Sequence, residues 1–331
     1  MLSNRVFTSI IAAFFILTVS GQTIDNKFSL TVSQDGSGDY STIQEAINQV
    51  RDHAEKQVVI HIKPGVYKEK LVIPTYKRNV KLKGSGQENT IIEYNDYSGK
   101  PREHKDETGN PNYSTYTSYT LLIAANDCTL EDLTIANSAG PVGQAVALHI
   151  ESDRVQVKNC IINGHQDTLY IAKGGTRSFF ENCQIIGTTD FIFGAATAYF
   201  NACTITSLRN SYITAASTTK EDPYGFVFES CKLESIDNSV DKVFLGRPWR
   251  PYAKTVFLNT EMGSHIAPEG WHHWPGDKNF PDKEKTAFYA EYRSFGPGAK
   301  ELKNRVSWSK QLTSKQASNF SKKKVLRGWL D

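Results

Sequence analysis

Residues 157–162 (Val-Lys-Asn-Cys-Ile-Ile) and 180–185 (Phe-Glu-Asn-Cys-Gln-Ile) carry the same Asn-Cys pair in the same alternating frame. Four other segments fit that frame, namely residues 130–135, 200–205, 228–233 and 257–262. Apolar and polar residues alternate within each segment, which is the pattern of a β-strand. The intervals between successive registered residues are 27, 23, 20, 28 and 29. The registered residues are Leu133, Cys160, Cys183, Cys203, Cys231 and Thr260.

A repeat of this length, with short strands and loops of variable length, predicts an all-β fold, a right-handed parallel β-helix. Leucine-rich repeats are similar in length but require recurring leucines, which are absent here. A β-sandwich is the structural alternative, although it does not explain a shared Asn-Cys register. The small registered residues are expected to point inward and to stack as a ladder. The stretch Asn95–Ser118 is predicted to be one long loop that projects from the stack.

Both ends of the stack are predicted to carry additional structure. The terminal coil of a β-helix exposes an open sheet edge and needs a cap. Residues 41–47 (Ser-Thr-Ile-Gln-Glu-Ala-Ile) begin with N-cap residues and predict an amphipathic capping helix that runs to about Arg51. Near the other end, residues 296–298 (Gly-Pro-Gly) break the pattern. Residues Gln311–Asp331 are predicted to pack on the outside.

The N-terminus has the features of a cleavable signal peptide, predicted over residues 1–21. Arg5 supplies a positive region, and Ile10–Val19 is mostly apolar. This run is too short for a good transmembrane helix, so an uncleaved anchor is the less favoured alternative. The chain is therefore expected to be secreted or periplasmic, with residues 22–331 forming a single β-helix catalytic domain.

Charge and cysteine content exclude several classes of protein. Loss of Arg5 lowers the formal net charge from +3 to +2, which is too small to predict a nucleic-acid or membrane partner. The five cysteines are an odd number spread through the middle of a long chain. They are better explained as free, buried, small hydrophobic residues than as a disulfide scaffold.

Two aspartates occupy equivalent places in consecutive repeats. Asp167 lies seven residues after Cys160, and Asp190 lies seven residues after Cys183. On neighbouring coils of a parallel stack, such residues lie about 4.7–4.9 Å apart. Two carboxylates at that separation cannot both ionise freely, so one is pushed towards the protonated form. An ionised nucleophile beside a protonated acid is suited to catalysis.

Five short segments follow one another along the chain: residues 65–69 (Gly-Val-Tyr-Lys-Glu), 144–148 (Gln-Ala-Val-Ala-Leu), 166–169 (Gln-Asp-Thr-Leu), 190–194 (Asp-Phe-Ile-Phe-Gly) and 245–249 (Leu-Gly-Arg-Pro-Trp). In this order they resemble the signature segments of pectin methylesterases, and the resemblance runs from about Val32 to Trp308. It implies a β-helix that hydrolyses the methyl ester of galacturonate units in pectin, with no metal or other cofactor. Because no long inhibitory region precedes the domain, a bacterial-type secreted member is expected, acting as a monomer on pectin.

Ester hydrolysis needs a nucleophile, a proton donor and donors for the oxyanion. The sequence has no Ser-His-Asp signature and no Gly-x-Ser-x-Gly elbow, so carboxylates must carry the reaction in an esterase. Asp190 is the predicted nucleophile, by resemblance and because Arg247 would lower its pKa and hold it by paired hydrogen bonds. Asp167 is predicted to protonate departing methanol and then to act as base on the water that cleaves the acyl-enzyme.

Other residues are predicted to bind substrate or the oxyanion. Gln144 and Gln166 are neutral amides that can donate to an oxyanion. The resemblance gives the oxyanion role to Gln166, and substrate binding with a supporting role to Gln144. Trp249 follows Arg247 by two residues and can offer its ring to a sugar face. The remaining predicted substrate-binding residues are Thr115, which the resemblance suggests, and Tyr170 and Phe191.

Three alternatives share the β-helix. A polygalacturonase would carry Asn-Thr-Asp, Asp-Asp and Gly-His-Gly segments, which are absent. A pectate lyase would need an acidic Ca²⁺ cluster, and the glutamines and Arg247 oppose a cation beside the aspartates. A non-catalytic polysaccharide-binding β-helix would not need Asp167, Asp190 and Arg247 together. His265, His272 and His273 lack partner ligands at metal-site spacing, so no metal is predicted.

Overall fold

The computed structural model describes residues 28–330, so the predicted signal peptide lies outside the described residues. Within that range the chain winds into a right-handed parallel β-helix, as predicted. Each complete coil contributes one strand to each of three parallel sheets. We name them sheets A, B and C, in the order in which the chain visits them. Consecutive coils therefore place equivalent residues one above another on every face of the stack.

The strands are short, as expected for a β-helix coil. In residues 28–330, sheet A consists of Ser29–Val32, Val58–Ile62, Val80–Lys83, Thr129–Glu131, Val155–Lys158, Arg177–Glu181, Thr197–Asn201, Phe226–Glu229, Lys254–Leu258, Phe288–Tyr292 and Lys310–Gln311. Sheet B consists of Gly65–Tyr67, Thr90–Tyr94, Thr134–Asn137, Ile161–Asn163, Gln184–Gly187, Thr204–Ser207, Lys232–Ser235 and Glu261–Met262. Sheet C consists of Leu71–Ile73, Leu121–Ile123, Leu148–Ile150, Leu169–Ile171, Ile192–Gly194, Tyr212–Ala216 and Phe244–Gly246.

The Asn-Cys register marks the corner between sheets A and B. The residue before each registered position has a left-handed backbone, which asparagine and aspartate tolerate better than most residues. The registered side chain then points inward and is buried, which confirms the predicted ladder. All five cysteines are free and buried. The corner residues are Asp132, Asn159, Asn182, Ala202, Ser230 and Asn259, with φ between 48° and 57°.

The core runs along the inside of the stack and contains a ladder of phenylalanines. Phe180, Phe200, Phe228 and Phe257 are paired in register on consecutive strands of sheet A. Their ring centroids lie 4.6, 4.4 and 4.5 Å apart, and the rings are nearly parallel. Each such aromatic pair contributes about 0.5–1.5 kcal/mol beyond the burial of its area. This ladder stabilises the coils that carry the site described below.

The N-terminal capping helix spans Ile43–Gln49 and ends two residues before the predicted end. Thr42 caps it by accepting a hydrogen bond from the Glu45 amide at 3.3 Å. The carboxylate of Glu69 accepts from the amides of Ile43 and Gln44, which suits a negative charge at a helix N-terminus. The helix buries its apolar face against the first coil.

The C-terminal segment packs on the outer face of sheet A, as predicted. After the last strand of that sheet come two short helices, Ser314–Ala317 and Lys322–Val325. Leu312, Val325 and Leu326 of this segment form a second apolar cluster with outward-facing residues of sheet A.

None of the helices in residues 28–330 is long and apolar enough to cross a membrane. The remaining turns of helix are of the 3-10 type, at Thr115–Thr117, Lys283–Lys285, Pro297–Ala299, Leu302–Asn304 and Ser318–Phe320.

Candidate active site

The two aspartates lie at the same corner of consecutive coils, just before strands of sheet C. Leu169 pairs with Ile192 and Tyr170 pairs with Phe193, so Asp167 is level with Asp190 in the next coil. Both have a left-handed backbone, with φ of 65° and 50°. Adjacent strands lie about 4.8 Å apart, which fixes the separation of their backbones. Both side chains line one cavity of about 230 Å³.

Arg247 makes a two-point contact with Asp190. Its Nε lies 2.9 Å from Oδ1 and its Nη2 lies 2.6 Å from Oδ2. The guanidinium carbon lies 3.9 Å from the ring centre of Tyr212 and 3.6 Å from that of Trp274. Asp190 is only 5% exposed. A bidentate pair of this kind, held by two aromatic rings and shielded from water, fixes the orientation of the carboxylate.

Burial dominates the electrostatics of both aspartates. It raises the pKa of Asp167 well above the usual range, repulsion from Asp190 raises it further, and Arg247 opposes the rise. Burial also raises the pKa of Asp190, against the hydrogen bonds and charge of Arg247. The prediction of a net lowered pKa for Asp190 is therefore wrong, because desolvation outweighs the arginine. The two groups remain unequal, since only Asp190 has a bonded cation.

Gln144 and Gln166 lie side by side at the edge of the cavity. They form a parallel β-bridge, and the amide of Ala145 donates to the carbonyl of Gln166 at 3.0 Å. Both side chains line the cavity with the aspartates. Among the described residues, neither side-chain amide has a hydrogen-bond partner within the protein. Their N–H groups are therefore available to a group bound in the cavity.

The long loop Asn95–Ser118 delivers two residues to the cavity. The side-chain amide of Asn137 donates to backbone carbonyls at both ends of this loop, at 2.9 and 3.1 Å. Lys70 donates to a carbonyl near its C-terminal end at 2.6 Å. With its ends held in this way, the loop places Thr115 and Tyr116 on the cavity wall. Thr115 was predicted to bind substrate, whereas Tyr116 was not.

Aromatic side chains form a ladder on the outer face of sheet C. Trp249 lines the cavity and meets Phe193 edge-on, with ring centroids 5.9 Å apart. Tyr170 of the preceding coil stacks on Phe193, with ring centroids 4.4 Å apart and the rings nearly parallel. Tyr170 therefore lies beside the cavity and supports its wall. The position of Trp249 suits its predicted contact with a sugar. Tyr170 is not among the residues that line the cavity, so its contact with a sugar stays a prediction.

The structure does not place Phe191 at the cavity. Its side chain is 0% exposed and belongs to the main core. Phe191 packs so closely on Gly187 that a Cβ at that glycine would lie 2.3 Å from the phenylalanine Cβ. The left-handed corner at Asp190 interrupts the strand alternation, so Phe191 and Ile192 both point inward. Phe193 is the first residue after this corner to face the cavity, and it takes the place predicted for Phe191.

Trp274 and Tyr212 are the main contributors that sequence reasoning missed. Both rings pack against the guanidinium of Arg247. Trp274 lies 27 residues after Arg247 in the sequence, and Tyr212 lies 35 residues before it. The repeat does not predict Tyr212, because seven residues after Cys203 stands Asn210. The pairing of Ile192 with Thr214 in the structure is what places Tyr212 level with Asp190 in the next coil. Trp274 lies after the last strand of sheet C, outside the repeat, so no pattern points to it.

The histidines have structural environments. Burial lowers the pKa of His265 to about 4, so its ring is neutral over most of the pH range. His272 accepts a hydrogen bond at Nδ1 from the amide of Trp274 at 3.2 Å. In the part of the chain that the structure describes, no three His, Cys, Asp or Glu residues are grouped as metal ligands.

Comparison with known proteins agrees with this fold. The sequence profile of the family described as Pectinesterase matches residues 29–329. This chain belongs to the pectinesterase family. It is 37% identical over 308 residues to "Putative pectinesterase 11" of Arabidopsis thaliana, covering 91% of this chain and 80% of that protein. The predicted family is therefore confirmed.

Solved structures of pectin methylesterases have the same architecture as this pectinesterase-family chain. The carrot enzyme is 32% identical, with a TM-score of 0.80 over 91% of this chain and 94% of that one. The enzyme PemA from Erwinia chrysanthemi is 33% identical, with a TM-score of 0.77 over 91% and 97%. The chain spans about half the length of relatives such as "Probable pectinesterase/pectinesterase inhibitor 46" of Arabidopsis thaliana, of which it covers 54%.

Proposed function

We propose that this chain hydrolyses the methyl esters of galacturonate units in pectin, releasing methanol and leaving pectate. The observation that carries the proposal is the two-point contact of Arg247 with Asp190, with Asp167 level with it in the preceding coil. Membership of the pectinesterase family supports the same reaction. So do the names of relatives that this chain matches over most of their length.

The first half of the reaction forms a covalent intermediate. The carboxylate of Asp190 attacks the carbonyl carbon of the methyl ester, and its charge moves to the carbonyl oxygen. The side-chain amide of Gln166, supported by Gln144, donates hydrogen bonds to this oxyanion; one such donor is worth about 2.7–4 kcal/mol. Asp167 gives its proton to the methoxy oxygen as the carbon–oxygen bond breaks. Methanol leaves, and the galacturonyl group remains joined to Asp190 as an anhydride.

The second half returns the enzyme to its starting state. Asp167, now a carboxylate, takes a proton from a water molecule, and that water's oxygen attacks the galacturonyl carbon. The bond to Asp190 breaks, and its carboxylate is restored beside Arg247. Asp167 begins and ends protonated, which fits its strongly raised pKa. The two carboxyl groups titrate as a pair, so a pH–rate profile reports on both together.

Polymer binding is assigned to the aromatic and polar walls of the cavity. Trp249 offers an apolar face to a sugar ring, and Thr115 contacts the substrate from the long loop. Tyr170 supports this surface through its stacking on Phe193.

The cellular setting is proposed from the sequence. Residues 1–21 are proposed to be a cleaved signal peptide, and residues 22–331 to be the catalytic domain of a secreted or periplasmic enzyme. Because one chain supplies every residue of the proposed site, a monomer is sufficient for the reaction. The bacterial-type grouping stays a prediction, since similar proteins come from plants and from a bacterium.

The direct test is methanol release from highly methylated pectin, with and without a chelator. Methanol should appear in both cases and should be lost in Asp190→Ala. The matched control is Asp237→Ala, which changes an exposed aspartate in a turn that follows a strand of sheet B and should leave the rate unchanged. Full methanol release by Asp190→Ala would refute the nucleophile assignment.

The same incubation separates the competing activities. Unsaturated chain ends that absorb ultraviolet light, lost on chelation, would identify a lyase. New reducing ends without methanol would identify a polygalacturonase. Retention on pectin with neither product would identify a binding module.

A further inference from the structure

A buried lysine lies beside the proposed site and has no role in the reaction described above. Lys283 is 1% exposed and begins the one-turn helix Lys283–Lys285. Its ammonium lies 2.8 Å from Oδ2 of Asp277 and 3.4 Å from the carbonyl oxygen of Trp249. It also lies 4.6 Å from the ring centre of Trp274. These three contacts replace the water that a buried ammonium loses.

Two of the three partners of Lys283 are the tryptophans of the cavity. Trp249 and Trp274 both line it, and the indole of Trp274 also lies 3.6 Å from the guanidinium of Arg247. One ammonium therefore connects the backbone of the first tryptophan to the ring of the second. Asp277 in turn holds that ammonium and also accepts from two backbone amides of its own turn.

We propose that Lys283 is a positioning residue for the reaction: paired with Asp277, it fixes Trp249 and Trp274 at the cavity and so keeps Arg247 aligned on Asp190. The inference rests on the proposed function. A buried ion pair is weak evidence for a role in stability, because an apolar side chain of similar volume often serves as well. What distinguishes this pair is its contact with both tryptophans that line the cavity.

The charge of Lys283 has a second effect, on the ionisation of Asp190. A positive charge nearby favours the carboxylate and opposes the rise of its pKa caused by burial. Loss of that charge should raise the pKa of Asp190 and move the acid limb of kcat/KM to higher pH. The charged and titratable groups around Asp190 are Arg247, Asp167 and Tyr289. Those around Lys283 are Asp277, Arg250 and Arg247.

The chain offers a matched control in the same helical turn. Lys285 pairs with Asp282 at 2.7 Å, but its side chain is 70% exposed and touches neither tryptophan. Lys283→Met and Lys285→Met remove the same charge from positions two residues apart. One substitution breaks the link between the tryptophans, whereas the other changes only a surface pair.

The test measures kcat, KM and the pH profile of methanol release for the parental chain and both variants. Lys283→Met is expected to lower kcat by about 10²-fold, the effect of misplacing a reacting group by about 1 Å. Its acid limb should move to higher pH, a shift that a merely structural role would not produce. Lys285→Met should match the parental chain. Lys283→Arg, which keeps the charge, should restore the parental acid limb.

A folded Lys283→Met with parental kcat and parental pH profile would overturn the inference. If that variant does not fold, Asp277→Asn replaces it and Asp282→Asn is its control. The first should lower kcat and the second should not, and equal, parental rates for both would overturn the inference in the same way. A parental chain that releases no methanol would instead refute the proposed function, so the two failures are distinguishable.

Discussion

Replacing Arg247 with methionine is expected to destabilise this chain strongly at neutral pH and much less in acid. The guanidinium bonds both oxygens of Asp190, which is 5% exposed. The variant would leave a buried carboxylate without its bonded cation. Removing one partner of a buried pair costs about 3–5 kcal/mol. At about 2 °C per kcal/mol for a large domain, the unfolding midpoint should fall by about 6–10 °C.

The dependence on pH follows from the direction of the pKa shift. Burial raises the pKa of Asp190 in the folded protein above its unfolded value, and loss of Arg247 raises it further. Such a group favours folding below its unfolded pKa, about 3.9 for an aspartate, and this contribution is lost as pH rises through the folded pKa. Near pH 4 the carboxyl of the variant can stay buried in its protonated form. The remaining deficit is the packing of the guanidinium between Tyr212 and Trp274.

The assay is thermal unfolding followed by circular dichroism, at neutral pH and near pH 4, with methanol release measured on the same samples. Arg250→Met is the matched control. That guanidinium also stacks on an indole, 4.7 Å from the ring centre of Trp249, and pairs with no carboxylate among residues 28–330. Its effect on the midpoint should be the same at both pH values. An equal fall at both pH values for Arg247→Met would refute the ionic role assigned to the pair.

Four further substitutions test residues of the site and of the neighbouring core. Asp167→Asn should lower kcat by about 10²–10⁴-fold, the usual contribution of a general acid–base group, while its thermal midpoint stays close to parental because asparagine replaces a carboxyl that is already protonated in the resting site. Gln166→Leu should lower kcat by about 10²–10³-fold, as expected for one oxyanion donor, with little change in KM for pectin. Phe191→Ala should lower the free energy of unfolding by about 3–5 kcal/mol in urea titrations, because it leaves a cavity in the core. Phe193→Ala should instead raise KM; the opposite pattern for this pair would contradict their assignment to core and cavity.

The repeat was predictable because its signal is periodic. Alternating strands and the Asn-Cys register recur through the chain, and the structure explains both halves of that pair. Asn159 and Asn182 have left-handed backbones at the corner, and the cysteine after each points inward. The left-handed conformation costs most L-residues about 1–2 kcal/mol, and asparagine and aspartate tolerate it better because their short polar side chains can bond locally. A backbone preference of this kind depends on the residue at a single position, so it can be predicted from one sequence.

Side-chain direction next to a corner was not predictable in the same way. Simple alternation would place Phe191 and Phe193 on the same face, but the left-handed residue Asp190 turns the chain just before them. In the structure Phe191 packs against Gly187 and points into the core. Trp274 was missed for a different reason: its contact with Arg247 crosses from a segment that follows no repeat. Contacts between a periodic element and an irregular one leave no periodic trace in the sequence.

The inequality of the two aspartates arises from the stack and not from the residues themselves. Asp167 and Asp190 have the same backbone conformation and the same place in their coils, so a difference must come from their neighbours along the column. On one side that neighbour is Tyr212. Its ring packs against the guanidinium of Arg247, whose Nη2 lies 2.6 Å from Oδ2 of Asp190. A third aspartate at position 212 would remove that platform and would place three like charges in one column. The aromatic residue there helps to hold Arg247 on one of two equivalent aspartates, and that arginine makes the two carboxyl groups unequal.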